Sequence, residues 1–167
     1  MKQMTKQQIL DTDFSNIKIK SSCFEMDFHI INNINIITGD SAIGKSKLIA
    51  DLQNVIEESR LGTLKVDTSF PVEFIKIMDK GSLLDKDFSR FNGGPYLIFI
   101  DDFDRYDCKE IRDFIFHSKH IFFIVSRGSL LGRVSKRGWY SLECSGSSYK
   151  LVSFIKNNNR FMELVGS

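Results

Sequence analysis

Apolar and polar residues alternate strictly over residues 24–30, where Phe, Met, Phe and Ile face one way and Glu, Asp and His face the other. This period of two is typical of a half-buried strand. Residues 17–20 alternate in the same way, so the two segments predict an antiparallel hairpin over residues 17–33 that ends at the Asn32-Asn33 turn. Residues 34–38 predict a further short strand that leads into a glycine-containing segment.

The middle of the chain combines helical stripes with fully apolar strands. Between Ser46 and Arg60, apolar residues recur at helical spacing and predict a helix with one buried face. Residues 96–100 and 121–125 are continuous apolar runs, typical of strands covered on both faces, and a helical stripe over residues 111–115 lies between them. This alternation of strands and helices predicts parallel strand pairing. Beyond Arg127, alternating segments at 140–144 and 149–153 predict a terminal hairpin.

Residues 39–46 read Gly-Asp-Ser-Ala-Ile-Gly-Lys-Ser and match the phosphate-binding loop, or Walker A motif, G-x-x-x-x-G-K-[ST]. The motif lies between a predicted strand and a predicted helix, which allows backbone N–H groups and the helix N-terminus to surround a phosphate. We expect Lys45 to reach the β- and γ-phosphates and the Ser46 hydroxyl to ligate Mg²⁺. The predicted nucleotide-binding residues are Gly39, Asp40, Ser41, Ala42, Ile43, Gly44, Lys45, Ser46 and Lys47.

The apolar run at residues 96–100 ends in two carboxylates, and residues 97–101 have the form of a Walker B strand. We predict that Asp101 holds the water shell of Mg²⁺ and that Asp102 orients the attacking water, with Asp104 as a rival for the second role. The next apolar strand ends at Ser126 and Arg127, which would lie near the γ-phosphate. Ser126 could then hydrogen-bond the attacking water and Arg127 could stabilise developing charge, although both could equally be ordinary strand-end residues.

Together these patterns predict an α/β protein with a three-layer P-loop NTPase fold: a mostly parallel central sheet, an N-terminal antiparallel β-hairpin and a C-terminal β-hairpin. The length of 167 residues suits one domain, with the hairpin at 17–33, a core at 34–126 and an extension at 127–167. Three widely spaced cysteines, a polar start and the lack of a membrane-spanning apolar run indicate a cytoplasmic protein without a structural metal or a membrane segment.

Charge is distributed unevenly along the chain. The net charge is +2, but residues 127–167 carry seven Lys and Arg against two Glu, which leaves −3 for residues 1–126. A basic segment of this kind can contact nucleic acid or an acidic protein surface, although it can also be a solvated face without a partner. We expect any contact with a protein or nucleic-acid partner to involve this segment.

Residues 24–28, 35–46 and 97–102 together carry a resemblance to a known group of proteins. They resemble the ATP-binding core of AAA-type and RecF/SMC-like ATPases, in which a small antiparallel sheet typically precedes the phosphate-loop strand. The likeness covers residues 17–126, and residues 100–105 also resemble the Walker B segment of KAP-type NTPases. The chain has no Leu-Ser-Gly-Gly-Gln signature and no helical lid segment after Ser126. The resemblance therefore implies a minimal ATPase or nucleotide switch.

The predicted function is binding of ATP and Mg²⁺ with slow hydrolysis, used to change contacts with a partner. A small-molecule kinase is an alternative, in which Arg127, Arg133 and Arg137 would form a phosphate-clamping lid. A degenerate binding module is another, since Asp102 stands where many ATPases carry Glu. The lack of an Asn-Lys-x-Asp motif favours ATP over GTP.

Overall fold

The computed structural model describes residues 15–21, 24–30, 32–38, 42–58, 64–65, 67–68, 74–128, 130 and 133–153. The strands in these ranges are β1 Ser15–Ser21, β2 Phe24–Ile30, β3 Ile34–Thr38, β4 Leu64–Lys65, β5 Asp67–Thr68, β6 Phe74–Ile77, β7 Leu97–Ile100, β8 Ile121–Val125, β9 Trp139–Ser145 and β10 Ser148–Ser153. The helices are α1 Ala42–Glu58, α2 Lys80–Asp85, α3 Phe103–Tyr106 and α4 Lys109–His117, with 3-10 turns at Ser89–Phe91 and Lys136–Gly138.

The described strands form a single mixed sheet in the order β4-β6-β7-β8-β3-β9-β10-β2-β1-β5. Strands β6, β7, β8, β3 and β9 run parallel to their neighbours in this series. Pairing is antiparallel within the β1–β2 and β9–β10 hairpins. It is also antiparallel at the two ends of the sheet, where β5 joins β1 and β4 joins β6.

The prediction of a three-layer P-loop NTPase fold with a mostly parallel central sheet is wrong. Four of the nine strand pairings in the described ranges are antiparallel, and both hairpins are inner parts of one mixed sheet. They meet through the parallel pairing of β10 with β2, which sets Tyr149 opposite Met26. Each strand of a hairpin keeps one edge of N–H and C=O groups that must find a partner. The local sequence predicts the turn of a hairpin, but it does not identify the strand that this outer edge will meet.

Side chains of the central strands alternate between two packed faces. On one face, Phe123 of β8 packs in a cluster with Leu52 of α1. On the other face, its neighbour Phe122 packs with Phe103 of α3 and Ile111 of α4. All five side chains are fully buried, and each contributes roughly 1.5–3 kcal/mol to folding. The adjacent pair Phe122 and Phe123 therefore fixes β8 in the middle of the protein.

A glycine allows the 3-10 turn at Lys136–Gly138 to pack against β3. A Cβ atom at Gly138 would lie only 2.6 Å from the carbonyl oxygen of Ile34 and 3.2 Å from a methyl carbon of Val134. No larger residue fits without moving backbone, because real Cβ atoms do not approach carbonyl oxygens this closely. The turn positions the start of β9, which pairs with β3 from Ile36 onward.

The sheet ends in two very short strands. β4 and β5 are each two residues long, and β5 pairs with Ile17 and Lys18 of the seven-residue strand β1. In the part of the chain that the structure describes, no helix has the length and apolarity needed to cross a bilayer.

Candidate functional site

The candidate site is a cleft of about 220 Å³ at the carboxyl ends of β7 and β8 and the start of α1. Because β7, β8 and β3 are parallel neighbours, the residues that follow them meet at the same edge of the sheet. Ligands of open sheets commonly bind at this edge, beyond the carboxyl ends of the strands. The cleft is lined by Lys45, Ser46, Asp101, Asp102, Asp104, Val125, Ser126 and Arg127.

Of the predicted phosphate loop, Gly39, Asp40 and Ser41 lie outside the described residues. Ala42, Ile43 and Gly44 form the start of α1. Lys45 and Ser46 follow on the same helix and line the cleft. The Lys45 side chain is only 7% exposed, so its ammonium group lies within the cleft wall instead of extending into bulk water. An ammonium held in such a place favours an anionic ligand.

Asp101 and Asp102 follow β7 directly and differ in environment. Asp101 is half-buried, and this burial raises the pKa of its carboxyl above the usual range. The charge of Asp102 adds to the rise, whereas the backbone N–H of Asp102 and the charge of Lys80 oppose it. Asp102 is exposed and has a left-handed backbone, with φ 52° and ψ 46°, which Asp tolerates better than most residues. This backbone reversal turns the chain into α3 and leaves the Asp102 carboxylate at the mouth of the cleft.

Asp104 connects two strand ends. One of its carboxylate oxygens accepts a 2.7 Å hydrogen bond from the Ser126 hydroxyl, and the other accepts a 2.6 Å bond from the backbone N–H of Arg127. The Ser126 oxygen in turn accepts a bond from the N–H of Gly128 at 3.3 Å. Ser126 is 2% exposed, and its single hydroxyl proton is already donated to Asp104. Asp104 therefore holds the loop after β8 against the loop after β7.

Lys47 belongs to a different cluster from Lys45. Its ammonium group donates to the Asp51 carboxylate, the Gly146 carbonyl and the Tyr149 hydroxyl, each at 2.9 Å. Tyr149 also donates to Asp51 at 2.5 Å. The hydrogen bonds from Tyr149 and Lys47 hold the pKa of Asp51 below its usual range, and the bond from Tyr149 has the larger effect. Burial and the Asp51 contact raise the pKa of Tyr149 to about 12. The Lys47 side chain thus fastens α1 to the β9–β10 hairpin.

The three arginines of the predicted lid lie in different places. Arg127 is exposed and lines the cleft. Arg133 lies with its guanidinium carbon 5.2 Å from the centre of the Phe116 ring and lines a second cavity. Arg137 is exposed on the 3-10 turn before β9. The contacts by which Asp104 bridges two loops were not predicted from the sequence, where the available signal was a carboxylate three residues after Asp101.

The cleft residues suit a magnesium ion. Across the described ranges, no group of three or more His, Cys, Asp and Glu side chains is arranged to hold a metal. Mg²⁺ does not need such a group, because it commonly binds through one or two carboxylates, with water and substrate phosphates as the other ligands. The Ser46 hydroxyl and the Asp101 carboxylate share the cleft and offer oxygen ligands. A cation beside Asp101 would also relieve the burial penalty that raises the pKa of this carboxyl.

Comparisons with known proteins assign no family to the chain. No family model and no curated protein matches it. Among solved structures, this chain is similar to a protein chain in a model of ribosome-bound archaeal Pelota and ABCE1, with a TM-score of 0.45 and 12% sequence identity. The match covers 99% of this chain and 39% of the other, so the chain spans well under half the length of the protein that it matches.

Proposed function

We propose that the chain binds ATP together with Mg²⁺ in this cleft and hydrolyses it slowly. The observation that carries the proposal is the meeting of a Gly-Lys-Ser helix start with the Asp101-Asp102 pair in one cleft. The two motifs are 55 residues apart in sequence, from Ser46 to Asp101, and they resemble the Walker A and Walker B elements of ATPases. The same resemblance supports a minimal ATPase or nucleotide switch.

Each cleft residue has a role that follows from its chemistry. Lys45 would donate to phosphate oxygens, and Ser46 and Asp101 would hold Mg²⁺. The ion, when bound, would neutralise charge on the β- and γ-phosphates. Asp102, exposed at the mouth of the cleft, would orient a water molecule. Asp104 would position the loop that carries Arg127, and the Arg127 guanidinium would stabilise negative charge on the phosphate tail.

Binding can be tested by thermal-shift titration with Mg·ATP on the full chain. Lys45→Ala should weaken binding on the order of 10- to 100-fold, since a charge-assisted hydrogen bond is lost. Lys150→Ala is a matched control, because Lys150 is an exposed residue of β10 outside the cleft lining. An ATP-induced shift that is the same in Lys45→Ala and in the wild type would refute the proposal.

Turnover separates an ATPase from a binding module. Asp102→Asn should keep the ATP-induced thermal shift and slow phosphate release, because a neutral amide cannot polarise water as a carboxylate does. A kinase would transfer the γ-phosphoryl group to its acceptor and form ADP without free phosphate. ADP formation should therefore be stimulated by neither nucleosides nor sugars and should equal phosphate release, which tests the kinase alternative directly. Binding without any turnover in the wild type would leave the module as the better description.

We further propose that the nucleotide controls contact with an acidic protein surface or a nucleic acid. Exposed Arg137 and Lys150 support this, as members of the basic segment 127–167; Lys156 and Arg160 of that segment lie outside the described residues. If the partner is duplex nucleic acid, affinity should fall by about 0.9 log units per tenfold salt for each phosphate contacted. Replacing Arg137 and Lys150 by Glu should abolish retention on DNA or RNA if the partner is a nucleic acid, and unchanged retention would refute the nucleic-acid part of this proposal.

A further inference from the structure

The β9–β10 hairpin extends beyond the edge of the sheet at which the candidate cleft lies. β9 runs parallel to β3, and its Ser141 lies opposite Thr38, the last residue of β3. β9 continues to Ser145, so residues 142–145 project roughly 13 Å past the end of β3. The chain continues from β3 into residues 39–46, the phosphate-loop motif. The end of the hairpin therefore lies beside this motif.

Two sets of contacts hold the end of the hairpin against the start of α1. A Cβ atom at Gly44 would lie 4.0 Å from the Cβ atom of Cys144, which is ordinary packing distance. The Lys47 ammonium group donates to the Gly146 carbonyl at 2.9 Å, and the Cys144 thiol donates to the same oxygen at 3.3 Å. Gly146 has a φ of 61°, a backbone conformation that glycine adopts without strain. The turn is thus fixed next to the residues that would bind phosphate.

The turn lies on the side of the phosphate-loop motif that faces away from the carboxylates. β3 has β8 on one side and β9 on the other. Asp101, Ser126 and Arg127 follow β7 and β8 and line the cleft, so the γ-phosphate and Mg²⁺ would lie on that side. A triphosphate chain that begins there and follows the loop brings its sugar and base to the opposite side. That is the side of the β9–β10 turn.

The residues of the turn are available to a ligand, since Cys144, Ser145, Gly146 and Ser147 are all exposed. Serine hydroxyls both donate and accept hydrogen bonds, as the hydroxyl groups of a sugar do. We propose that the turn at residues 144–147 contacts the nucleoside part of the bound nucleotide, and that Lys47 is a positioning residue that holds the turn in place. The proposal rests on ATP binding in the cleft, and it identifies the residues that distinguish a nucleotide from inorganic polyphosphate.

Cys144 provides a direct probe of this contact. Its alkylation by iodoacetamide can be followed by mass spectrometry on the full chain, with Mg·ATP or with magnesium tripolyphosphate, which has no nucleoside. At an ATP concentration about ten times the Kd, the unoccupied fraction falls to about one tenth, so alkylation of Cys144 should slow about tenfold. Tripolyphosphate at the same saturation should leave the rate close to that without ligand. Cys108, half-buried before α4, is the internal reference and should react equally in all three conditions.

Lys47→Met tests the positioning role, because it removes the ammonium group that holds the Gly146 carbonyl and keeps a side chain of similar length. The ratio of ATP affinity to tripolyphosphate affinity should fall at least about threefold. Affinity for tripolyphosphate should itself stay near that of the wild type, since the Lys47 bonds go to Asp51, Gly146 and Tyr149. Lys119→Met is the matched control, as Lys119 is exposed before β8 at the opposite edge of the sheet, and it should keep the wild-type ratio.

The two measurements are independent, and the protection of Cys144 is decisive in the wild type even if Lys47→Met does not fold. An ATP-induced thermal shift without protection of Cys144 would overturn the nucleoside contact, as would equal protection by ATP and tripolyphosphate. An unchanged affinity ratio in Lys47→Met would overturn the positioning role. Failure of the cleft proposal has a different signature, because neither ATP nor tripolyphosphate would then shift the melting temperature of the wild type, and the nucleoside contact would be refuted with it.

Discussion

Asp104 offers the sharpest test of how the cleft is built. From the sequence alone, Asp104 competes with Asp102 for the role of orienting the attacking water. In the structure, both carboxylate oxygens of Asp104 already accept hydrogen bonds, one from the Ser126 hydroxyl and one from the Arg127 N–H. If Asp104 is a positioning residue, its removal should lower stability first and turnover second. If it is the base, turnover should fall while stability stays near that of the wild type.

The expected magnitudes follow from the two hydrogen bonds. Asp104→Ala leaves the Ser126 hydroxyl, 2% exposed, without its acceptor, which costs about 1–3 kcal/mol. The Arg127 N–H is more exposed and can turn to water, so its loss adds less. We expect the free energy of unfolding to fall by about 2–3 kcal/mol in total. Asp104→Asn can keep both bonds if the amide oxygen accepts from Arg127 and the amide nitrogen donates to Ser126, and it should cost about 1 kcal/mol.

Urea unfolding measures this difference directly. With a slope of about 2 kcal/mol per molar urea, Asp104→Ala should lower the midpoint by about 1 M and Asp104→Asn by about half of that or less. Phosphate release by Asp104→Asn should stay near that of the wild type. Loss of turnover in Asp104→Asn with an unchanged urea midpoint would refute the positioning role of Asp104. The water-orienting role would then pass from Asp102 to Asp104.

Three further predictions concern charge and packing. Burial raises the folded-state pKa of Asp101, so the ionised carboxylate opposes folding. Asp101→Asn should therefore raise the melting temperature at pH 7. This increase should vanish below the ordinary Asp pKa of about 3.9, where the Asp101 side chain is neutral like the Asn that replaces it. Tyr149→Phe should cost about 1–2 kcal/mol. The Tyr149 hydrogen bond lowers the pKa of Asp51, so this bond stabilises the fold above the ordinary Asp pKa, and its contribution is lost as the pH falls through the folded-state pKa of Asp51. Acid unfolding of Tyr149→Phe should therefore begin at a higher pH than that of the wild type. The same onset of acid unfolding in both proteins would contradict this. Gly138→Ala should lower the free energy of unfolding in urea by about 1–3 kcal/mol, since the added carbon would lie 2.6 Å from a carbonyl oxygen of β3. Gly81→Ala is the control and should not destabilise the protein, because its added carbon would have no neighbour nearer than 3.5 Å.

The strands with a clear pattern were predictable at residue level. Segments 24–30, 34–38 and 121–125 have the same bounds in the structure as predicted from the sequence. Strict alternation over residues 24–30 and an unbroken apolar run over residues 121–125 are strong local signals of a strand. Two-residue strands and the short helices α2 and α3 were missed, since a period cannot be read over two to six residues. The pairing of β10 with β2 was missed because it joins segments more than 120 residues apart and has no local signal.

The cleft was predictable for a similar reason. Lys45, Ser46, Asp101 and Asp102 follow recognisable strand and helix patterns, and residues that follow parallel neighbours share one edge. The contacts of Lys47 could not be predicted, because they depend on the docking of the β9–β10 hairpin against α1. The second cavity, which Arg133 lines, could not be predicted either, since in the sequence the neighbouring Asn32-Asn33 indicates only a turn.

The very short strands at the two ends of the sheet have a consequence for behaviour at high concentration. An exposed strand edge is a template for pairing with another molecule, and long apolar edges promote aggregation. Among the described residues, β5 covers only Ile17 and Lys18 of β1, and the side chains of Lys18 and Lys20 are both exposed along that strand. Charged lysines next to a short terminal strand discourage edge-to-edge association between molecules. Replacing both lysines with Thr should therefore leave the fold intact and lower the concentration at which the protein precipitates.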